Sequence, residues 1–430
     1  MEDRTSLKRT LTPFEVVLSG IGVILGAGIY ALIGEAAGIA GNALWMAFLL
    51  SATIAAFTGL SYAELSSMFP LASAEHEYTA RSFGASLAFI VGMMVVLSGI
   101  VGAATVALGF AGYFREVTGF PLLAVASVLL LALSGVIFAG IRQSAAFVIV
   151  FTLIEAGGLF GIIAIGLPYL GSVDYWEMPA GFPGVLSAAA LLFFAYQGFE
   201  EIVKLSEETV NPERTIPQGL LMALVVTILL YIAVAIAAVS IGGWQQLAGS
   251  PAPFAVIAGQ VLGDAGSFAF TIIALFATAN TALLMLLASS RILYGMAQSG
   301  SLPAWLGSVH PKTHTPGFAI AACLLCSLAF LSLGTIRDVA LVANFTLFIT
   351  FAVINAAVVA LRIKDPGRHR PFVVPFTIGR IPLIPVAGIA TCILFMAQLD
   401  GRILAIGGGT ILIAHAAGWL LRRAGYRQVR

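Results

Sequence analysis

The chain has 430 residues, of which 60% are hydrophobic and only 10% charged, with a formal net charge of +1. A soluble domain of that length needs far more charge to cover its surface, so these values exclude a large soluble enzyme. So small a net charge leaves no electrostatic footprint for nucleic acid. Cys323 and Cys326 form a C-x-x-C inside an apolar run, without the polar company that zinc or redox chemistry needs. They read as two small residues on one buried helix face, and Cys392 also sits in an apolar run.

The first dozen residues are polar, and the apolar run after them is too long for a signal-peptide core. Helical runs of about 20 apolar residues, enough to cross a bilayer, then recur along the chain. They lie at 14–38, 43–68, 84–113, 122–140, 145–168, 184–204, 217–241, 266–295, 317–334, 338–361, 382–398 and 402–421. No barrel-type alternation is present, so helices are what can satisfy the backbone in lipid. The fold class is therefore an all-α integral membrane protein of about twelve transmembrane helices, in one domain over 1–430.

An inside N-terminus puts eighteen of the 21 basic residues on the cytoplasmic side, among them Arg4, Lys8, Arg9, Arg142, Lys204, Arg362, Arg370, Arg427 and Arg430. Only Arg115, Arg337 and Arg402 fall outside. The positive-inside rule then predicts a multi-pass cell-membrane protein with both termini cytoplasmic. The short apolar segment 250–263 reads as an interfacial or re-entrant helix on the outer face.

Two spans are disturbed near their middles. In the first, Gly20, Gly22, Gly26 and Gly28 crowd the helix; each glycine weakens it by about 1 kcal/mol relative to alanine and lets a ligand approach the backbone. In the sixth, Gln197 and Gly198 follow a dense aromatic stretch, with Glu200 and Glu201 next. Both breaks come about 12 residues into their span, or about 18 Å at 1.5 Å per residue, near the midplane. The two spans run in opposite directions, and matched interruptions in inverted halves point to a transporter site. A broken helix exposes amides that suit a carboxylate and carbonyls that suit an ammonium, so a zwitterionic amino acid uses both.

The stretches G-I-G-V-I-L-G-A-G-I-Y (20–30), F-F-A-Y-Q-G-F-E (193–200), S-E-E-T-V-N-P-E-R-T-I-P (206–217) and S-R-I-L-Y-G-M-A-Q-S-G-S-L-P (290–303) together resemble the amino acid–polyamine–organocation superfamily of permeases, which share the LeuT-type fold. The resemblance covers essentially the whole chain. It implies a 5+5 inverted repeat with discontinuous helices one and six: a first repeat over 14–168, a second over 184–361, and helices eleven and twelve (382–421) outside them. It implies that amides of Gly26, Ala27 and Gly28 hold a substrate carboxylate. Carbonyls around Phe194, Ala195 and Tyr196 would hold the amine, with Gly198 completing the second break and Phe194 as an aromatic gate. The loop after the second span departs from the Gly-Gly-Tyr pattern of relatives and reads A-S-A-E-H-E-Y (72–78), with Glu75, His76 and Glu77 expected in a solvated loop.

Glu155 lies about 11 residues into span five. An ionised carboxylate at that depth costs roughly 2.5–3.5 kcal/mol, which makes it a candidate carrier of a coupling proton. It aligns with a lysine implicated in proton-coupled relatives, with the charge reversed. The other reading of Glu155 is a structural hydrogen bond to a neighbouring helix. Glu200 matches a pH-sensing glutamate of some relatives, or else accepts from amides freed at the break. Glu201 and Lys204 are spaced to pair. Ser289 and Ser290 fall where sodium-coupled relatives hold an ion, though serines also pack well between membrane helices. Glu207, Glu208, Asn211 and Arg214 are either a salt-bridged inner gate or a solvated loop.

No catalytic or Walker A pattern is present and the five histidines are scattered, which argues against an enzyme or an ATP-driven pump. No pore-type segment supports a channel. The expected function is secondary active transport of amino acids, with neutral ones favoured by the aromatic and small residues at 193–199, by alternating access and without a bound cofactor. The expected coupling ion is H⁺, with Na⁺ as the alternative. The partners expected are the amino acid and the lipid bilayer, with homodimerisation left open and no nucleic acid. The alternative is a cationic amino acid or polyamine exchanger.

Overall fold

The computed structural model describes residues 9–71, 74–140 and 145–423. Arg4, Lys8, Arg142, Arg427 and Arg430, counted above for orientation, lie outside the described residues, as do Ala72 and Ser73.

Each apolar run identified in the sequence is helical. The first is split into α1 (Pro13–Ile24) and α2 (Gly28–Ala40). α3 (Leu44–Met68), α4 (Ala74–Phe83), α5 (Ala85–Thr118), α6 (Leu122–Phe138) and α7 (Ala145–Gly166) follow. The chain continues through α8 (Gly181–Leu192), two 3₁₀ segments (Phe193–Tyr196 and Phe199–Glu208), α9 (Pro212–Ala248), α10 (Pro253–Gln298), α11 (Gly317–Leu331) and α12 (Ile336–Lys364). A two-stranded β1–β2 ribbon (Thr377–Ile378 and Ile381–Pro382) precedes α13 (Leu383–Met396) and α14 (Gly401–Arg423).

Local chemistry sets the boundaries. α1 starts at a capping box in which the Thr12 hydroxyl accepts from the Glu15 amide while Glu15 accepts from the Thr12 amide at 2.8 Å, and Pro13 leads the helix. α12 starts where Thr335 accepts from the Asp338 amide. Within α10, Gly263 at φ 69° bends the chain, so the 250–263 segment is a helix set off from the long span that follows.

Among the described residues, eight helical stretches are long and apolar enough to cross a membrane. Four further apolar helices, α1, α6, α11 and α13, are shorter; at 1.5 Å per residue they reach about 18–26 Å, below a hydrocarbon core of about 30 Å unless the bilayer adapts. Large apolar side chains face outward on the periphery, among them Leu153, Leu229, Leu325, Leu412 and Ile413, which is the surface a bilayer requires. The protein is a multi-pass membrane protein. Inside this shell α3 packs along α9, α5 along α10 and α12, and α2 against α8 and α9.

The structure differs from the sequence reading at 74–83. Instead of a solvated loop there is α4, whose Glu75, Tyr78, Thr79 and Ser82 are buried. Their spacing is one face of a helix. The C-x-x-C also differs: Cys323 is buried and Cys326 exposed, and both are free.

A buried ion pair ties the ends of α3 and α12 together. Glu64, 1% exposed, accepts from Arg362 Nε at 2.9 Å and from Nη2, and its Oε2 accepts the Val374 amide at 2.8 Å. Arg362 also donates to the Val374 carbonyl and to Thr377 Oγ1 on β1, and Arg370 Nε stands 3.4 Å from Glu64. Breaking one side of such a pair strands a buried charge and costs about 3–5 kcal/mol. Glu64→Gln should therefore lower the thermal unfolding temperature in detergent sharply, and adding Arg362→Met should restore part of it.

Candidate functional site

The first interruption is a three-residue gap. The Leu25 amide still donates to the Ile21 carbonyl at 2.8 Å, but the Ala27 amide leaves the helix ladder and donates to Thr281 Oγ1 on α10 at 2.9 Å. α2 then begins at Gly28 with no side chain capping its start. Its first amides, with the partial positive charge of a helix N-terminus, belong to an uncapped helix end. Gly26 and Gly28 line an interior cavity of about 580 Å³ at that point.

The second interruption is longer. After α8 the Phe193–Tyr196 turn ends at extended Gln197 (φ −57°, ψ 138°), and Gly198 turns left-handed at φ 118°. Only glycine takes that angle without strain. Side chains from distant helices satisfy the freed groups. Asn344 Nδ2 on α12 donates to the Ala190 and Leu191 carbonyls at 2.7 and 3.0 Å. The Tyr231 hydroxyl on α9 bonds the Ile24 carbonyl at 2.8 Å and the Ala195 carbonyl at 3.1 Å, touching both interruptions at once. The two breaks also meet directly: a Cβ on Gly28 would stand 2.6 Å from Ala195 Cα, and one on Gly198 would stand 2.9 Å from the Val23 carbonyl.

Of the residues singled out from the sequence, Gly26, Gly28, Phe194, Ala195, Gly198, Glu155, Glu200 and Ser289 line the cavity. Ala27 does not, and its amide is taken by Thr281. Tyr196 does not either; it is fully buried and its hydroxyl donates to the Phe48 carbonyl at 3.1 Å. Ser289 Oγ lies against Gly99 of α5, and Ser290 turns back to the Leu287 carbonyl of its own helix at 2.9 Å. The two hydroxyls therefore do not converge, because consecutive positions on a helix point about 100° apart.

Glu155 on α7 is 1% exposed; Asn280 Nδ2 donates to its Oε1 at 3.4 Å and Tyr30 donates to its backbone carbonyl at 2.6 Å. Glu200 Oε2 accepts the Gly198 amide at 2.9 Å, so it caps the second break. Lys204 and Glu201 pair. The 206–211 loop pairs its backbone with the N-terminal segment, the Thr10 and Leu11 amides donating to the Glu208 carbonyl. Glu75 of α4 reaches the lower cavity, where Tyr62 donates to it at 3.3 Å. Burial pushes its carboxyl above the ordinary carboxylate range, and the Lys204 ammonium opposes the rise.

Sequence reasoning missed Thr281, Asn280, Tyr231 and Asn344. Each is a polar residue in an apolar span, which was the available signal. Glu75 was missed because the stripe at 75, 78, 79 and 82 was not read as a helix face.

A cavity at the junction of two mutually touching broken helices, inside a multi-pass helical membrane protein, defines a transporter. The chain belongs to the amino acid permease family, whose pattern matches residues 11–402, and it is a permease rather than an enzyme. It is similar to the methylthioribose transporter of Bacillus subtilis (strain 168), with 32% identity over 423 residues, 92% of this chain and 89% of that one. The branched-chain amino acid permease BcaP of the same organism is 29% identical over 97% of this chain and 91% of its own length. The vacuolar cationic amino acid transporter 4 of Arabidopsis thaliana is 27% identical over 84% of this chain and 64% of its own. The resemblance seen in the sequence is thus correct at the level of the family, and this protein transports an amino acid or a related solute.

The contact between the breaks yields a test. An added methyl on Gly28 meets backbone at 2.6 Å, whereas one on Gly26 meets the Thr281 hydroxyl at 3.0 Å, where a shift of a few tenths of an ångström suffices. With overpacking at about 1–3 kcal/mol, Gly28→Ala should weaken half-saturation for the transported solute by about tenfold or more. Gly26→Ala should do markedly less, as measured by uptake into proteoliposomes.

Proposed function

We propose that this protein is a secondary active transporter that moves neutral amino acids by alternating access, driven by protons. The observation that carries the reading is the uncapped start of α2 facing the second break across a shared cavity that also holds Glu155. In this reading the twelve apolar segments are twelve crossings with both termini cytoplasmic. Residues 14–168 and 184–361 are two inverted five-helix repeats, and 382–421 are two accessory helices.

The substrate carboxylate binds amides at the start of α2, around Gly26 and Gly28, where the helix dipole and undonated N–H groups favour an anion. The ammonium binds carbonyls of the second break. The Ala195 carbonyl already accepts from Tyr231, so its second lone pair is the one available. Phe194, buried beside Gly102 of α5, closes over the bound solute. Glu155 takes up the coupling proton: among the described residues it has no basic partner, and the long Asn280 contact is what offsets the burial of its carboxylate. Sodium in place of the proton is the alternative coupling ion.

A second reading rests on the cavity's charge. Glu75, Glu155, Glu200 and Glu201 line it against Lys204 and Arg291, an excess of carboxylates that suits a cationic amino acid or polyamine, moved by exchange. The relatives described above are named for methylthioribose, branched-chain and cationic amino acid transport, so cargo differs within the family.

Purified protein in proteoliposomes should take up labelled neutral amino acids faster with an inward proton gradient, and Glu155→Gln should lose that stimulation while retaining exchange. Uptake confined to vesicles preloaded with basic amino acids would replace this reading by the second. Uptake of methylthioribose alone would move the assignment to sugars.

A further inference from the structure

The amide side chains inside this protein divide into two groups. Asn42 is bonded to Glu177 and to the Trp244 amide, Asn280 to Glu155, Asn344 to the end of α8, and Asn355 to Ser61, Thr58 and the Phe351 carbonyl. Each ties one helix to another or to its own turn. Gln197 sits in the second break between Tyr196 and left-handed Gly198, and its Oε1 is enclosed without a hydrogen-bond partner among the described residues. The Asn344 Oδ1 also has no partner among the described residues, but Asn344 does not line the cavity, and Gln197 does.

A buried carbonyl oxygen with no donor is costly, and a leucine or methionine would fill the same volume without that cost. The cavity wall carries donors, among them Thr281, Asn280, Thr350 and Lys204, yet none of them bonds Gln197 Oε1. The last torsion of a glutamine side chain is soft, so rotation about χ3 presents either end of the carboxamide to the cavity. The main-chain groups of the breaks suffice for the carboxylate and ammonium that every amino acid has. An additional unpaired carboxamide matches something only some of them have.

We infer that Gln197 is a specificity residue that reads a hydrogen-bond donor on the substrate's side chain, so that the preferred cargo is a neutral solute bearing a hydroxyl or amide group rather than its hydrocarbon isostere. The inference rests on the proposed neutral amino acid transport and narrows its substrate class. A site built to pair a hydroxyl discriminates against the analogue lacking it, because the protein group is then left unpaired; a purely apolar pocket rejects an added hydroxyl far less.

Threonine and valine are near-isosteres and form the probe pair, with the thermal unfolding temperature in detergent as the reference for intact protein. In proteoliposomes the wild-type protein should favour threonine over valine by about tenfold in the ratio of uptake efficiency, the worth of about one buried hydrogen bond. Gln197→Leu should erase or invert that ratio, read within the one variant, by improving valine relative to threonine. If that variant does not accumulate, Gln197→Met reads the same ratio. Equal handling of threonine and valine by wild type, or a preference unchanged in Gln197→Leu or Gln197→Met, overturns the inference and leaves amino acid transport standing. Failure of the wild-type protein to move any amino acid overturns both.

Discussion

The constraint on which this structure turns is the fate of backbone groups released where two helices stop in the middle of an apolar interior. In a region without water, each freed N–H or C=O costs several kcal/mol unless something else bonds it. The protein answers with single polar side chains sent from other helices. Thr281 takes the Ala27 amide, Tyr231 takes the Ile24 and Ala195 carbonyls, and Asn344 takes those of Ala190 and Leu191. Glu200 closes the far side locally by accepting the Gly198 amide. The start of α2 has no side-chain cap, and Gly26 and Gly28 there border the cavity. In the proposed reading, the amides that no side chain takes are the ones left for the substrate.

This division explains what could be read from the sequence. The breaks themselves were legible, because glycines and a Gln-Gly pair stand out in apolar spans and lie at matching depths. Glu155 was legible for the same reason, as a lone carboxylate among apolar neighbours. The partners were not legible: Thr281 is 254 residues from the amide it bonds, and nothing in its own span distinguishes it from a serine or threonine that bonds back to its helix, as Thr278 does. Ser289 and Ser290 show the converse. They have the composition expected of an ion site, yet one packs on Gly99 and the other bonds its own turn. Composition registers that a polar group is present, but its direction is set by the neighbouring helix.

α4 failed for a different reason. Its residues are polar enough to read as solvated loop, and its buried face of Glu75, Tyr78, Thr79 and Ser82 is itself polar. Periodicity detects a helix through an apolar stripe, and here the stripe is of hydroxyls and one carboxylate, of which Glu75 reaches the cavity. The same polarity gives the lower cavity its acidic character, which the sequence left unassigned.

Stability and mobility are separated in space by the same chemistry. The Glu64–Arg362 pair joins α3 to α12 and to the ribbon beyond it with every carboxylate oxygen engaged, a geometry that resists rearrangement because any movement strands a buried charge. α1, α2 and the 199–208 segment are held at their breaks by a few hydrogen bonds, from Tyr231, Thr281 and Glu200; those between neutral groups are worth about 0.5–1.5 kcal/mol net each. A 3₁₀ segment also bonds less well than an α-helix over its ten residues. The alternating-access cycle proposed above needs elements that exchange partners at small cost beside a frame that does not. The broken helices border the cavity, and the Glu64–Arg362 pair lies outside its lining.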